Sequence, residues 1–366
     1  NFSSGAGAGA RTRAAPNSDT TRADQPATDM HHLLLASLSV RSPQVLRLRD
    51  ATTGQQVSLV GTVHYNPASV ARAKEEVALA SKRDRSLGAV VVESCTSRWT
   101  TSLEKAPPGS LIANLVCSEM QGAAGVALQK GVPIMLGDAD AGAFLPRVRQ
   151  LAQQSVRDLV SPFAGGWAAI VEDFGRTLPG TLNPADVAGS ELLLEGERPI
   201  GIQDFLKPEM LVGFLFSLIR YPAAFALKAP LPFAALAAFL YALESTAIEL
   251  DAATASSVAA GEVVSLPIVA ALLFSAATTG LSVLVARLLL VAFLEERNAE
   301  LARSIRRAAA EKDASVVAIL GGLHVNGVAR LLLSEATPDA DSLAYDRVAD
   351  GVWWEPPPEV DASKWL

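Results

Sequence analysis

An α/β fold is predicted for this chain, with a largely parallel or mixed sheet, helices on both faces and an added hydrophobic helical hairpin. Three observations lead there. Short apolar runs of strand type alternate with amphipathic helical patterns, the signature of strands crossing over through helices. Four of those runs end at a polar residue: His64, Glu93, Asp138 and His324. Two long stretches late in the chain carry no charge at all.

Taken in order, residues 1–40 are rich in Ala, Ser, Thr, Gly and Arg and predict no fold. Arg11, Arg13 and Arg22 among small hydroxyl residues give the composition of an organelle transit peptide, against which stand Asp19, Asp24 and Asp29. A plain disordered tail is the alternative. Residues 41–205 form the first part of the α/β domain. Val45–Leu48 and Val57–Val60 flank Asp50-Ala51-Thr52-Thr53-Gly54 and predict a hairpin. A helix is expected from about Ala68 to Lys82, a strand over Gly88–Glu93, a helical stretch over Ser110–Lys130, and a strand over Val132–Leu136 that exits into Gly137-Asp138. From Arg147 to Pro208 the pattern is weakly helical and rich in turn residues.

Residues 206–290 form the hydrophobic helical insertion. Ala229–Leu243 has 15 residues without charge and Val263–Ala286 has 24. A helix crossing the hydrocarbon core needs about 20 residues. The second run suffices, while the first must extend toward Ile248. The intervening Glu244, Glu249, Asp251 and Glu262 are all acidic, whereas Arg220, Lys228, Arg287, Arg297 and Arg303 flank the pair. That asymmetry fits a membrane hairpin with both flanks on the side of synthesis or import. Buried Ala-rich helices are the alternative. Residues 291–352 hold a long helix to about Lys312 and a last buried strand, Val316–Leu320; residues 353–366 read as a tail packed on the surface.

The chain repeats one frame. Val57–Asn66 and Val316–Asn326 each run from an apolar strand into Gly-x-x-His, one residue, then Asn. The glycine is expected to let the backbone turn, and Asn66 and Asn326 to cap the following helices. A helix N-terminus favours neutral imidazole, which can bind a metal or accept a proton. The chain has 4 histidines; the other two, His31 and His32, lie in the leader. In parallel sheets the carboxyl ends of the strands line the ligand crevice, so the four polar strand ends are expected to meet there. A net charge of −7 gives no invitation to nucleic acid, and the 2 cysteines, Cys95 and Cys117, make no disulfide framework.

At these residues the chain resembles the TraB/PrgY/GumN family, which includes the Tiki metalloproteases. The family pattern is G-T-x-H, then E-x-x-x-x-R after a second strand, an Asp-Arg pair, a helix bearing E-R-N or E-R-D, and a closing G-x-x-H. Here these are Gly61-Thr62-Val63-His64, Glu93 with Arg98, Asp138, Glu296-Arg297-Asn298 and Gly321-Gly322-Leu323-His324. The Arg that usually follows the Asp is Ala139. The resemblance covers roughly residues 45–145 and 290–350. It implies two pseudo-related halves with one active site between them. In Tiki-like members it implies divalent-metal-dependent proteolysis, with a manganese or cobalt type of ion. The broader group also includes a haem-binding lipoprotein and an esterase.

The function expected is therefore a membrane-associated metal-dependent hydrolase acting on a peptide or protein, in a mitochondrial or plastid membrane. His64, His324, Glu93 and Asp138 are the candidate metal ligands. Glu93 is either a ligand or the general base, and Arg98 either holds an oxyanion or pairs with Glu93. No G-x-S-x-G is present to support a serine nucleophile. The alternative is a non-catalytic membrane protein using the same fold to bind a ligand, haem or partner.

Overall fold

The computed structural model describes residues 44–83, 87–138, 140–182, 185–261, 265–335, 351–357 and 362–365. The leader, with its histidines and arginines, lies outside them. Strands β1 (Val45–Arg49), β2 (Gln56–Thr62), β3 (Leu87–Val92), β4 (Ile134–Leu136), β5 (Ser315–Gly321) and β6 (Val352–Trp354) form one mixed sheet. Its order is β1-β2-β5-β3-β4-β6. The inner strands β2, β5, β3 and β4 run parallel, and β1 and β6 are antiparallel edges. β1 and β2 form the expected hairpin, whose turn is tied by Thr53 N donating to Asp50 Oδ2 at 2.8 Å. The decisive feature is β5. Drawn from the far end of the chain, it inserts between β2 and β3, so the second Gly-x-x-His lies beside the first.

The helices are α1 (Pro67–Arg83), α2 (Thr96–Lys105), α3 (Leu111–Leu115), α4 (Glu119–Gln129), α5 (Ala141–Leu159), α6 (Gly166–Leu182), α7 (Ala185–Ala188), α8 (Pro208–Lys228), α9 (Pro230–Ala259), α10 (Leu266–Leu288), α11 (Arg297–Lys312) and α12 (Gly322–Leu332). Helices cover both faces of the sheet. Leu301, Ile305 and Ala308 of α11 and Val325, Val328 and Leu332 of α12 pack on one face against Leu59, Val91 and Ala318. Ala73, Val77 and Ala80 of α1 and Ala123, Ala124 and Ala127 of α4 pack on the other against Val60, Val90 and Ile319. Burial on both sides explains why β5 reads as an unbroken apolar run.

Three expectations are corrected. The stretch 110–130 is two helices, because Ser118 starts a new one: its Oγ accepts from Gln121 N at 3.2 Å in a capping box. Asn326 caps nothing, since α12 already begins at Gly322. The C-terminal segment is structural. Trp353 and Trp354 belong to β6, and Trp365 is buried, its ring 6.1 Å from that of Trp99 and 5.7 Å from that of Trp354. Apolar area decides that packing.

The helices α8, α9 and the continuous one that begins with α10 are each long and apolar enough to cross a membrane. The first of these exceeds the expected hairpin. The acidic Glu244, Glu249 and Asp251 do not lie in a connector; they ride on the second half of α9, a helix of 30 residues. Glu262 and Val263 lie outside the described residues. α9 packs on α10, and the most apolar stretches of both are unburied. Arg287, at the end of α10, is buried and donates to Asp158 at 2.6 Å and Asp173 at 2.7 Å, which ties that end to α5 and α6. Leu289–Glu296 is π-helical and runs straight into α11, so one continuous helix joins the apolar pair to the sheet.

Candidate functional site

Four parallel strands in the order β2-β5-β3-β4 deliver His64, His324, Glu93 and Asp138 to one edge. Three of them converge beside Gly321, the last residue of β5. At the point where a Cβ of residue 321 would stand, Glu93 Oε2 is 3.3 Å away, His324 Cδ2 3.5 Å and His64 Nε2 3.7 Å. Gly321 has φ −57°, a conformation open to any residue. It is therefore suited to its place by the missing side chain and not, as expected, by a turn. Gly61 likewise serves close packing: a Cβ there would stand 3.0 Å from Val325 Cγ2.

Each imidazole is held at Nδ1 by a buried acceptor, which turns Nε2 inward. His64 Nδ1 bonds Glu119 Oε1 at 2.6 Å, and the other oxygen of Glu119 accepts from Tyr65 N at 3.2 Å. Tyr65 has φ 59°, the left-handed region, and this sharp bend lets His64 and Asn66 serve different neighbours. His324 Nδ1 bonds Asn298 Oδ1 at 2.7 Å, and Nε2 lies 3.3 Å from Glu93 Oε1. Asn298 fits against α12 only because residue 327 is glycine, where a Cβ would collide with the amide.

The two asparagines of the repeated frame anchor other segments. Asn66 Oδ1 accepts from Ala68 N at 2.9 Å, capping α1 as expected, and its Nδ2 donates to the carbonyl of Met210 on α8 at 3.1 Å. Asn326 clasps the backbone of Ile200, accepting from its N at 3.0 Å and donating to its O at 2.8 Å.

Glu93 is buried and fully bonded. Oε1 accepts from Arg297 at 2.5 Å and Oε2 from Gly321 N at 2.6 Å. Burial would raise its carboxyl pKa, but His324 and Arg297 outweigh that and hold it well below the usual range. Asp138 is buried beside it and accepts from Arg297 and Arg98. Burial is again outweighed by the two guanidiniums, and its pKa is lowered. The partner of Glu93 is thus Arg297. Arg98 pairs with Asp138 and Cys95 and stays half-exposed. Ala139 lies outside the described residues. Both cysteines are free.

For His64 the contact with Glu119 opposes the helix terminus, which was expected to favour the neutral form. Burial disfavours the cation, but the hydrogen bond and charge of Glu119 outweigh it and raise the pKa above its ordinary value. A carboxylate in direct contact dominates a partial helix charge. Glu119 was not among the sequence candidates for the site, and Arg297 and Asn298 entered only as the E-R-N of the resemblance, with no role given. Glu119 could have been suspected as the one charge in Glu119–Gln129, a helix otherwise apolar or amide-bearing.

The site opens into a cavity of about 430 Å³ lined by His64, Glu93, Arg98, Glu119, Tyr221 and Lys228, among others. Two imidazole nitrogens and a carboxylate are donors suited to a divalent ion, and acceptors bonded to Nδ1 are the usual supports of metal-bound histidines. Among the described residues, no three His, Cys, Asp or Glu side chains stand in finished ligand geometry. No family, curated protein or solved structure was found to match this chain.

Proposed function

We propose that the chain is a TraB-like, membrane-associated, metal-dependent hydrolase acting on peptide bonds. The observation that carries this reading is the convergence of His64 Nε2, His324 and Glu93 on the space left by Gly321. His64, His324 and Glu93 would hold a divalent ion of manganese or cobalt type. Such an ion, when bound, polarises a carbonyl and acidifies a water. Asp138 has a different part: with both oxygens taken by arginines, it fixes Arg297 and so Glu93. Glu93, ionised through His324 and Arg297, serves as the carboxylate ligand of that set. Arg98, half-exposed at the cavity, stabilises negative charge developing on the carbonyl oxygen.

The matched frames after the neighbouring strands β2 and β5 support two related halves sharing this site. The Arg- and hydroxyl-rich leader supports an organelle membrane, mitochondrial or plastid. The test is cleavage of a peptide library by detergent-purified full-length protein with added manganese or cobalt. Cleavage that disappears with chelator and in Glu93→Gln supports the reading. Cleavage indifferent to both contradicts it.

A further inference from the structure

α8 is long enough to span a bilayer, yet its contacts forbid it. Near its start, the Met210 carbonyl accepts from Asn66, and Gly213 packs so closely on Asn66 that a Cβ would collide. At its end, Lys228 Nζ donates to Tyr65 Oη at 3.0 Å and to Ser102 Oγ at 2.8 Å. Between them the rings of Tyr221 and His64 stack with centroids 6.3 Å apart. Met210 to Lys228 is a rise of roughly 27 Å, close to the full hydrocarbon thickness of about 30 Å. Packed along its length on α1, α2 and the loop at Tyr65 and Asn66, α8 could cross a bilayer only by drawing these elements into the hydrocarbon. It lies flat across the mouth of the site.

Its inner face is Met210, Gly213, Ser217 and Ala224, all buried. Its outer face is bare apolar surface: Leu211, Phe214, Leu215, Leu218 and Ile219 are exposed, Ile219 by 73 %. No charge occurs from Met210 to Ile219. One residue, Ala229, separates α8 from the membrane-length α9, so this face continues directly into the apolar pair. Contiguity with those helices identifies what covers it. A groove of about 290 Å³ runs along α8, lined by Val63, His64, Phe214, Leu218, Tyr221 and Pro222. His64 thus stands between the polar cavity and an apolar groove.

We propose that α8 lies in the interfacial layer of the bilayer, as amphipathic surface helices do, and that the groove beside His64 takes an acyl chain from that layer. The site then meets substrates resident at the membrane surface rather than dissolved ones. This rests on the hydrolase reading only for the word substrate; the placement of α8 stands without it. It also keeps the number of spans even, α9 and α10 alone crossing, so that both histidines remain on one side.

The test is photolabelling of the full-length protein in phosphatidylcholine vesicles, with a diazirine in the lipid acyl chain and the sites read by mass spectrometry. Labelling of α9 and α10 confirms insertion. Labels on Leu211, Phe214 and Leu218 and on the Val63–His64 peptide are expected, with α8 labelled evenly by a diazirine near the headgroup. Three results overturn the proposal: label on α9 and α10 but none on α8; label on α8 that deepens toward its middle, as in a span; or label on α8 with none at Val63 or His64, which removes the groove. Because no turnover is read, an inactive protein with labelled α8 refutes the hydrolase and leaves this proposal standing.

Discussion

Replacing Gly321 by alanine should empty the site while leaving the fold intact. The backbone permits it, since φ −57° and ψ 140° suit any residue. The added methyl would stand 3.3 Å from Glu93 Oε2, slightly tight, and 3.5 and 3.7 Å from His324 and His64, ordinary contact. Overpacking a core typically costs about 1–3 kcal/mol, and the loss of glycine's freedom in the unfolded chain returns about 0.4–1 kcal/mol. The net cost should be about 1 kcal/mol, a fall in melting temperature of roughly 2 °C. An ion bonded at roughly 2.0–2.2 Å to these donors needs the space the methyl takes. Gly321→Ala should therefore lower the affinity for manganese or cobalt at least tenfold, about 1.4 kcal/mol. The assay is isothermal titration of detergent-purified protein beside its melting curve. Undiminished metal binding in a variant that melts like wild type would refute the placement of the site.

Other perturbations separate support from chemistry. Arg297→Gln leaves buried Glu93 without its guanidinium and Asp138 with Arg98 alone, and should cost about 3–5 kcal/mol in denaturant unfolding, far more than Arg98→Gln at the half-exposed position. Glu300, buried one turn beyond Arg297, has Oε2 without a hydrogen-bond partner, and burial followed by the charge of Asp138 pushes its pKa from 4.5 to about 7. A raised carboxyl pKa means the folded state binds the extra proton, so stability falls as pH rises from about 4.5 to about 7 and stays lower above. Glu300→Gln should thus match wild type near pH 4.5 and exceed it by about 3 kcal/mol at pH 8; an equal difference at both would reject the burial argument. A cysteine placed at Asp251 on α9 should react only from the membrane face opposite one placed at Lys82 on α1, and reaction of both from one face would reject the crossing.

The strands and the edge on which the site lies were legible because they depend on local pattern. Ala89–Val92 and Val316–Leu320 are apolar throughout because both faces are covered, and polar residues such as Glu93 come where the chain leaves the sheet. What supports the site was less legible because it depends on tertiary partners. Nothing local to Glu119 announces that it meets a histidine 55 positions earlier, nor to Arg297 that it meets Glu93 across 204 positions. Arg98 stood nearer in sequence, and one of its two expected roles, pairing with Glu93, belongs to Arg297. Gly61 and Gly321 read as turn residues because sequence records only the missing side chain, and only the surroundings tell whether backbone freedom or empty space is needed. The length of α9 is hidden in the sequence because Glu244, Glu249 and Asp251 interrupt its hydropathy without breaking its helix.

Two histidines about 260 positions apart are proposed to serve one ion, and the metal content of the single and double variants decides whether they do. If the ion is shared, His64→Ala and His324→Ala each lose the metal as completely as the double variant, since removing either donor opens the set. Either single variant retaining full metal while folded, or losses that simply add, would contradict the account.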